Sequence, residues 1–195
     1  SIAMATRVAV SGLVNTGGSF ASGTQDTNYQ LNGTSYGYVS SGTGFPFGSW
    51  IANSADSKWI TPSANAGQSF DTVSSGTYTW NLSFNLTGFD ATTASFTGRF
   101  AADNSAVVKL NGITIGTSSG FSSFSSFAAH SGFNAGVNVL SFVVTNVVQS
   151  SGNPTGLRAE FLTSSVTAVP EPETYALLLA GLGLIGAAAR RRKQV

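Results

Sequence analysis

The 195-residue chain has no cysteine, one histidine and one methionine, and only 9% of its residues are charged. Without cysteine there is neither a disulfide framework nor a thiolate metal site. The eight acids are scattered and no D-x-D-x-D-G loop occurs. A calcium site would have to be built from Asp103, Asn104 and backbone carbonyls, so neither a metal nor a cofactor is expected. Clustered cations are also missing before residue 170. There, five Lys/Arg (Arg7, Lys58, Arg99, Lys109, Arg158) face six acids (Asp26, Asp56, Asp71, Asp90, Asp103, Glu160), a net of −1 that offers nothing to nucleic acid. The formal charge of +1 therefore misleads, because four of the nine cations lie in the last six residues. No amphipathic helical pattern precedes residue 170.

What the chain has instead is Ser, Thr, Asn and 23 Gly, a composition shared by secreted β proteins and flexible linkers. Periodicity decides between them. In TYTWNLSFNLT, residues 77–87, Tyr78, Trp80, Leu82, Phe84 and Leu86 alternate with Thr79, Asn81, Ser83 and Asn85, the pattern of a half-buried strand. Further strand-like runs are 7–14, 29–39, 58–61, 94–101, 106–110, 113–116, 137–148 and 157–162. Asn111-Gly112 lies between two of them, and this dipeptide predicts a two-residue type I′ hairpin because both positions need positive φ. VNVLSFVVTNVV, residues 137–148, is apolar on both faces, as expected of a central strand covered on both sides. The pattern predicts an all-β fold: an antiparallel two-layer β-sandwich with Trp80, Phe84 and Phe142 buried.

Catalysis finds little support. Gly116-Thr117-Ser118-Ser119-Gly120 satisfies G-x-S-x-G, but FSSFSSF follows where a nucleophile elbow needs a helix. His130 precedes a Ser-Gly turn and has no evident carboxylate partner. No catalytic residue is assigned, and the chain is expected not to be an enzyme. Trp50 and Trp59, flanking NSADSK, are the candidate ligand contacts together with Asp103 and Asn104, since exposed indole faces stack on sugar rings and Asp and Asn bond hydroxyls. The competing reading has both tryptophans plugging the ends of the sandwich, which the high average burial of Trp favours. Phe121, Phe124 and Phe127 recur every three residues, a spacing suited to pinning a long loop to the core.

The C-terminal VPEPETYALLLAGLGLIGAAARRRKQV, residues 169–195, is built differently. Tyr175 to Ala189 holds 15 uncharged residues, as a helix roughly 22 Å long against a ~30 Å hydrocarbon core. Arg190, Arg191, Arg192 and Lys193 compensate by snorkelling to the headgroups, and they place the C-terminus on the cytoplasmic side. Pro170-Glu171-Pro172, a short apolar segment and an Arg cluster, in that order, closely resemble the PEP-CTERM sorting signal. The resemblance implies a secreted bacterial precursor, held transiently in the inner membrane until an exosortase cuts at or near the motif, and then a cell-surface or extracellular-matrix protein. Ala3-Met4-Ala5 has the small-x-small pattern of a signal-peptidase site, so residues 1–5 read as the remnant of an export signal. The expected organisation is 6–167 for the sandwich, 168–173 for the linker and 174–195 for membrane helix and basic stop.

A second resemblance lies in the middle of the chain. LTGFDATTASFTGRFAADNSAVVKLNGITIG (86–116), SGFNAGVNVLSFVVTN (131–146) and PTGLRAEF (154–161) are similar to the galactose-binding-like jelly-roll β-sandwich. That resemblance implies a fold and leaves the ligand open. Three roles follow: a non-enzymatic structural or adhesive protein of an exopolysaccharide or biofilm matrix; a carbohydrate-binding module for exopolysaccharide; or a self-assembling filament subunit, in which Thr6 to Val14 pairs with a neighbour's sheet edge.

Overall fold

The computed structural model describes residues 5–67, 76–149 and 152–192. The proposed export remnant therefore lies outside the described residues except for Ala5, as does Lys193 of the basic stop. Eleven strands precede one helix: β1 (Arg7–Val8), β2 (Gln25–Leu31), β3 (Ser35–Val39), β4 (Ile60–Thr61), β5 (Gly76–Asn85), β6 (Phe89–Asp103), β7 (Ser105–Leu110), β8 (Ile113–Ser118), β9 (Ser125–Ala129), β10 (Val137–Asn146), β11 (Gly156–Ala168) and α1 (Pro172–Arg192).

The strands form one hydrogen-bonded path, β8-β7-β10-β5-β2-β3-β4-β11-β6-β9, with β1 added to β11. Every ladder in it is antiparallel. The short β3 and β4 carry the path around one side, so that β7-β10-β5-β2 packs face to face on β11-β6-β9. Alternation supplies the inner faces: Trp80, Leu82 and Phe84 from β5, Leu140, Phe142 and Val144 from β10, Phe96 and Phe100 from β6, and Leu157 and Ala159 from β11 are all buried. Edge-to-face aromatic contacts tie the layers, with Phe142 at 5.7 Å from Phe100 and 5.8 Å from Phe127, and Phe84 at 6.5 Å from Phe96. The predicted sandwich, with Trp80, Phe84 and Phe142 in its core, is thus the observed one. The β7–β8 turn is formed by Asn111 and Gly112 with φ of 48° and 87°. Asn111 also bonds the Gly132 carbonyl and the buried Asn138, which pins the tip to the start of β10.

Four local expectations are corrected. The 29–39 run is two strands, not one, because Asn32-Gly33 turns it back with φ of 51° and 75°. FSSFSSF is only partly loop: it ends in β9, whose Phe127 enters the core. The outer side of β10 is half-buried instead of covered, with Val139, Ser141 and Val143 facing partly into solvent. Finally, the 7–14 run forms a strand only at Arg7–Val8, since Gly12 breaks it at φ 89°; that strand pairs with Val166 and Thr167 of the chain's own β11. One edge of β1 is therefore used within the molecule, and its other edge pairs with no strand among the described residues.

Candidate functional site

The C-terminal segment begins where the sandwich ends. β11 runs to Ala168, opposite Phe89, and the Val169 N–H donates to the Gly88 carbonyl at 3.0 Å. Only Pro170 and Glu171 then intervene before α1. Pro172 occupies the first helical position, where its missing N–H costs no hydrogen bond, and the Thr174 N–H closes on the Glu171 carbonyl at 2.9 Å. The linker is accordingly shorter than the expected 168–173, because Pro172 is helical. Glu173 in the first turn and Arg190, Arg191 and Arg192 in the last complement the helix dipole.

No residue of α1 is buried, and Leu177, Leu184 and Ile185 are 74%, 73% and 68% exposed. A helix apolar on all sides, with no residue buried against the described part of the sandwich, is matched to lipid rather than to the sandwich. Its 21 residues give about 31 Å at ~1.5 Å per residue, the thickness of a hydrocarbon core. The uncharged stretch within it, Tyr175 to Ala189, is still roughly 22 Å long, and the polar turns at both ends supply the rest. By length and composition α1 is able to cross a membrane.

Of the other candidate residues, Trp50, Trp59 and Asp103 converge on the outer face of the β6–β11 pair, whereas Asn104 meets the end of β10. Segment 40–59 and the loop before β9 lie over that face as a third layer. Trp50 and Trp59, 3% and 0% exposed, stack on each other at 4.1 Å and pack on Ala101 of β6, with Phe47, Ile51, Phe121 and Phe124 around them. Both indole N–H groups are used inside the protein: Trp59 Nε1 donates to the Ile51 carbonyl at 2.8 Å and Trp50 Nε1 to Asp103 Oδ2 at 2.9 Å. Neither ring offers a face to a sugar, so the exposed-platform reading is corrected. They do not plug an end of the sandwich either, since they seal the outside of one layer. Asn104 serves structure as well, its Oδ1 accepting the Val147 N–H at 2.7 Å.

Beneath the same layer lies a buried ionic cluster that sequence reasoning missed. Arg158 Nε donates to Ser57 Oγ at 2.7 Å, and its other nitrogens reach the Ala52 carbonyl, Ser54 Oγ at 3.0 Å and Glu160 Oε1 at 3.2 Å. Glu160 also accepts from Ser57 Oγ and from Arg99, both at 2.7 Å. Burial alone would push the Glu160 carboxyl up, but the Ser57 and Arg99 hydrogen bonds and the two guanidinium charges together hold it below the usual range. Burial lowers the Arg158 guanidinium, against the pull of Glu160. The only clue in the sequence was Arg158 and Glu160 at alternate positions of a strand, which put both on one face.

Nothing in this cluster is arranged for nucleophilic chemistry. Ser118 is buried at the end of β8, where its hydroxyl bonds the Gly120 carbonyl at 3.3 Å, and His130 is exposed just beyond β9. Among the described residues no group of three or more His, Cys, Asp or Glu is placed to hold a metal.

Asp103 is the titratable group with a consequence for stability. Burial pushes its carboxyl up to about 6, against the hydrogen bond from Trp50 that lowers it, and its Oδ1 has no partner among the described residues. A carboxyl near 6 when folded and near ~3.9 when unfolded contributes stability below about pH 4 that is lost as pH rises through about 6. The loss is roughly 3 kcal/mol by pH 8. Asp26, raised by its own burial, acts in the same direction, whereas Glu160, lowered, contributes stability that is lost as pH falls through its folded value. The thermal midpoint should therefore be higher near pH 5 than at pH 8, and Asp103→Asn should remove much of that difference. An unchanged pH profile in the variant would show that Asp103 is not its source.

Residues 168–193 match the PEP-CTERM protein-sorting motif. Among solved structures, one described as "Structure of a family 35 carbohydrate binding module from an environmental isolate" is similar at a TM-score of 0.30 and 15% identity, covering 75% of this chain and 97% of that one. At that level the likeness carries no argument about this chain. No curated protein sequence matches it. The fold and the tail together define an antiparallel β-sandwich with an apolar C-terminal helix. Its sorting signal fits a membrane-anchored precursor that is later exported, and implies an exosortase as the processing partner.

Proposed function

We propose that this chain is an exported surface or matrix protein that catalyses nothing. It is held in the inner membrane by α1, cut by an exosortase at or near Pro170-Glu171-Pro172, and delivered to the cell surface or an exopolysaccharide matrix. There the sandwich has a structural and adhesive role. The observation that carries the reading is the sorting motif over residues 168–193, set on a fully exposed helix that starts within four residues of the last strand.

The rest of the molecule supports it. The sandwich is near neutral, and Ser, Thr and Asn recur on its solvent faces beside exposed apolar residues such as Ile113, Val137 and Leu162. Hydroxyl pairs between β6 and β11, Thr93 with Thr167 at 2.9 Å and Thr97 with Thr163 at 2.6 Å, make part of that surface polar through neutral groups. Such a surface makes weak single contacts that become effective through many copies.

Replacing Pro170, Glu171 and Pro172 together with alanine tests the sorting step. Fractionation should find the variant exported but retained in the inner membrane, uncut. Normal delivery to the outside would overturn the proposal.

A further inference from the structure

On the outer face of the β2-β5 layer, a notch of about 380 Å³ opens between β2 and the segment 11–14. It exists because β2 bulges. Asp26 pairs with Gly37 and Gln30 with Tyr36, so three residues of β2 have no opposite partner on β3, and Thr27 and Asn28 leave the ladder. Bulges of this kind re-aim side chains and occur often beside binding sites.

Buried groups hold both walls. Asp26, fully buried, accepts the Asn28 N–H at 3.0 Å through Oδ1 and the Gly17 N–H at 2.7 Å through Oδ2, which fixes the bulge. Tyr29, also buried, donates its hydroxyl to the Val14 carbonyl at 2.6 Å, which fixes the opposite wall. Gly12 lets that wall come close: an added Cβ there would lie 3.1 Å from the Phe84 Cβ.

The lining is mostly polar, with Gly12, Val14 and Leu82 beside the polar residues. It presents the side chains of Thr27, Asn28, Gln30, Tyr36, Asn81 and Ser83 and includes no charged residue. Within the protein, Asn81 Oδ1 accepts from Ser141 Oγ at 2.7 Å and Gln30 Nε2 donates to the Gly33 carbonyl at 2.9 Å. Among the described residues, the Asn81 amide nitrogen and the side-chain polar groups of Thr27, Asn28, Tyr36 and Ser83 make no hydrogen bond. A preorganised notch with amide and hydroxyl groups to spare, one half-exposed tyrosine ring and no ionic partner excludes a ligand recognised by charge, and it is too polar for an apolar one. Its complement is a molecule with hydroxyls on its rim and C–H groups on its face.

We infer that this notch binds a neutral saccharide segment, with Tyr36 against one sugar face and the Asn28, Gln30 and Asn81 amides on the hydroxyls. The inference rests on the domain reaching the outside, where polysaccharide is met, but not on how it is cut. Failure of the sorting test and failure of this one are therefore distinguishable.

The test is a chemical-shift titration of the isotope-labelled full chain in lauryldimethylamine oxide micelles, a detergent without sugar. The probes are cellohexaose, mannohexaose, galactohexaose and hexagalacturonate. At least one neutral hexasaccharide should shift the side-chain amides of Asn28, Gln30 and Asn81 saturably, with a Kd of about 1 mM or tighter, and hexagalacturonate should not. Tyr36→Ala and Asn81→Ala should each weaken binding about tenfold, while Phe45→Ala, which removes an exposed ring from another groove, should leave it unchanged. Asn81→Asp, keeping the side-chain shape, covers the case in which a truncation lowers the melting temperature and should weaken binding as well. No saturable shift with any neutral probe, equal binding of the galacturonate, or loss of binding on Phe45→Ala would overturn the inference.

Discussion

Arg158→Ala should destabilise the sandwich by about 3–5 kcal/mol, the usual result of removing one partner from a buried, hydrogen-bonded charge pair. Arg158 is buried in β11 and ties segment 52–57 to the sheet through Ala52, Ser54 and Ser57. Deleting it leaves the Ala52 carbonyl without this donor and removes one of the two cations that face Glu160. The tryptophans of the same segment make the loss visible: fluorescence of Trp50 and Trp59 should report an opened outer layer. Arg99→Ala is the matched comparison. Arg99 bonds the same glutamate, but its side chain is 42% exposed, so its removal should cost less than about 1 kcal/mol. Equal effects of the two substitutions, measured by denaturant unfolding, would show that burial does not set the strength of this cluster.

Gly98→Ala should cost about 3 kcal/mol, at the upper end of ordinary overpacking. Gly98 stands in β6 opposite Phe127 of β9 and Phe161 of β11, whose rings meet edge to face at 5.7 Å. A Cβ would lie 2.3 Å from the Phe127 ring and 2.6 Å from the Glu160 carbonyl oxygen. The ring could move, but the carbonyl belongs to the neighbouring strand, so the sheet itself must shift. Phe127→Leu in the Gly98→Ala background should return part of the loss by vacating the ring position, measured as a non-additive double-mutant cycle. Strict additivity would show that the two residues do not share this space.

The distribution of legible and hidden features follows from the range of the forces. Strand identity was readable at 77–87 because alternation is a period-2 property of the residues themselves, and the turn at Asn111-Gly112 because positive φ is a local preference. The same reasoning applied to Asn32-Gly33 would have divided the 29–39 run; there the hydrophobic pattern continued through the turn and hid it. β9 was missed because Ser-Ser-Phe repeats carry neither period, and Phe127 is placed by its neighbours Gly98 and Phe142 instead.

By itself the sequence determined the class of the fold and the character of the tail: alternation supplies one face per strand, and an all-round apolar segment between Pro-Glu-Pro and an arginine cluster suits a lipid environment whatever precedes it. Tertiary structure alone decided which residues meet. It buried Trp50 and Trp59 under a third layer, assembled Arg99, Arg158, Glu160 and Ser57 from β6, β11 and a loop, and opened the notch between β2 and segment 11–14. The physical reason is that local pattern sets which way a side chain points, whereas its environment depends on the segment that covers it. Such cover comes from residues distant along the chain, as with Ser57 and Glu160, 103 positions apart.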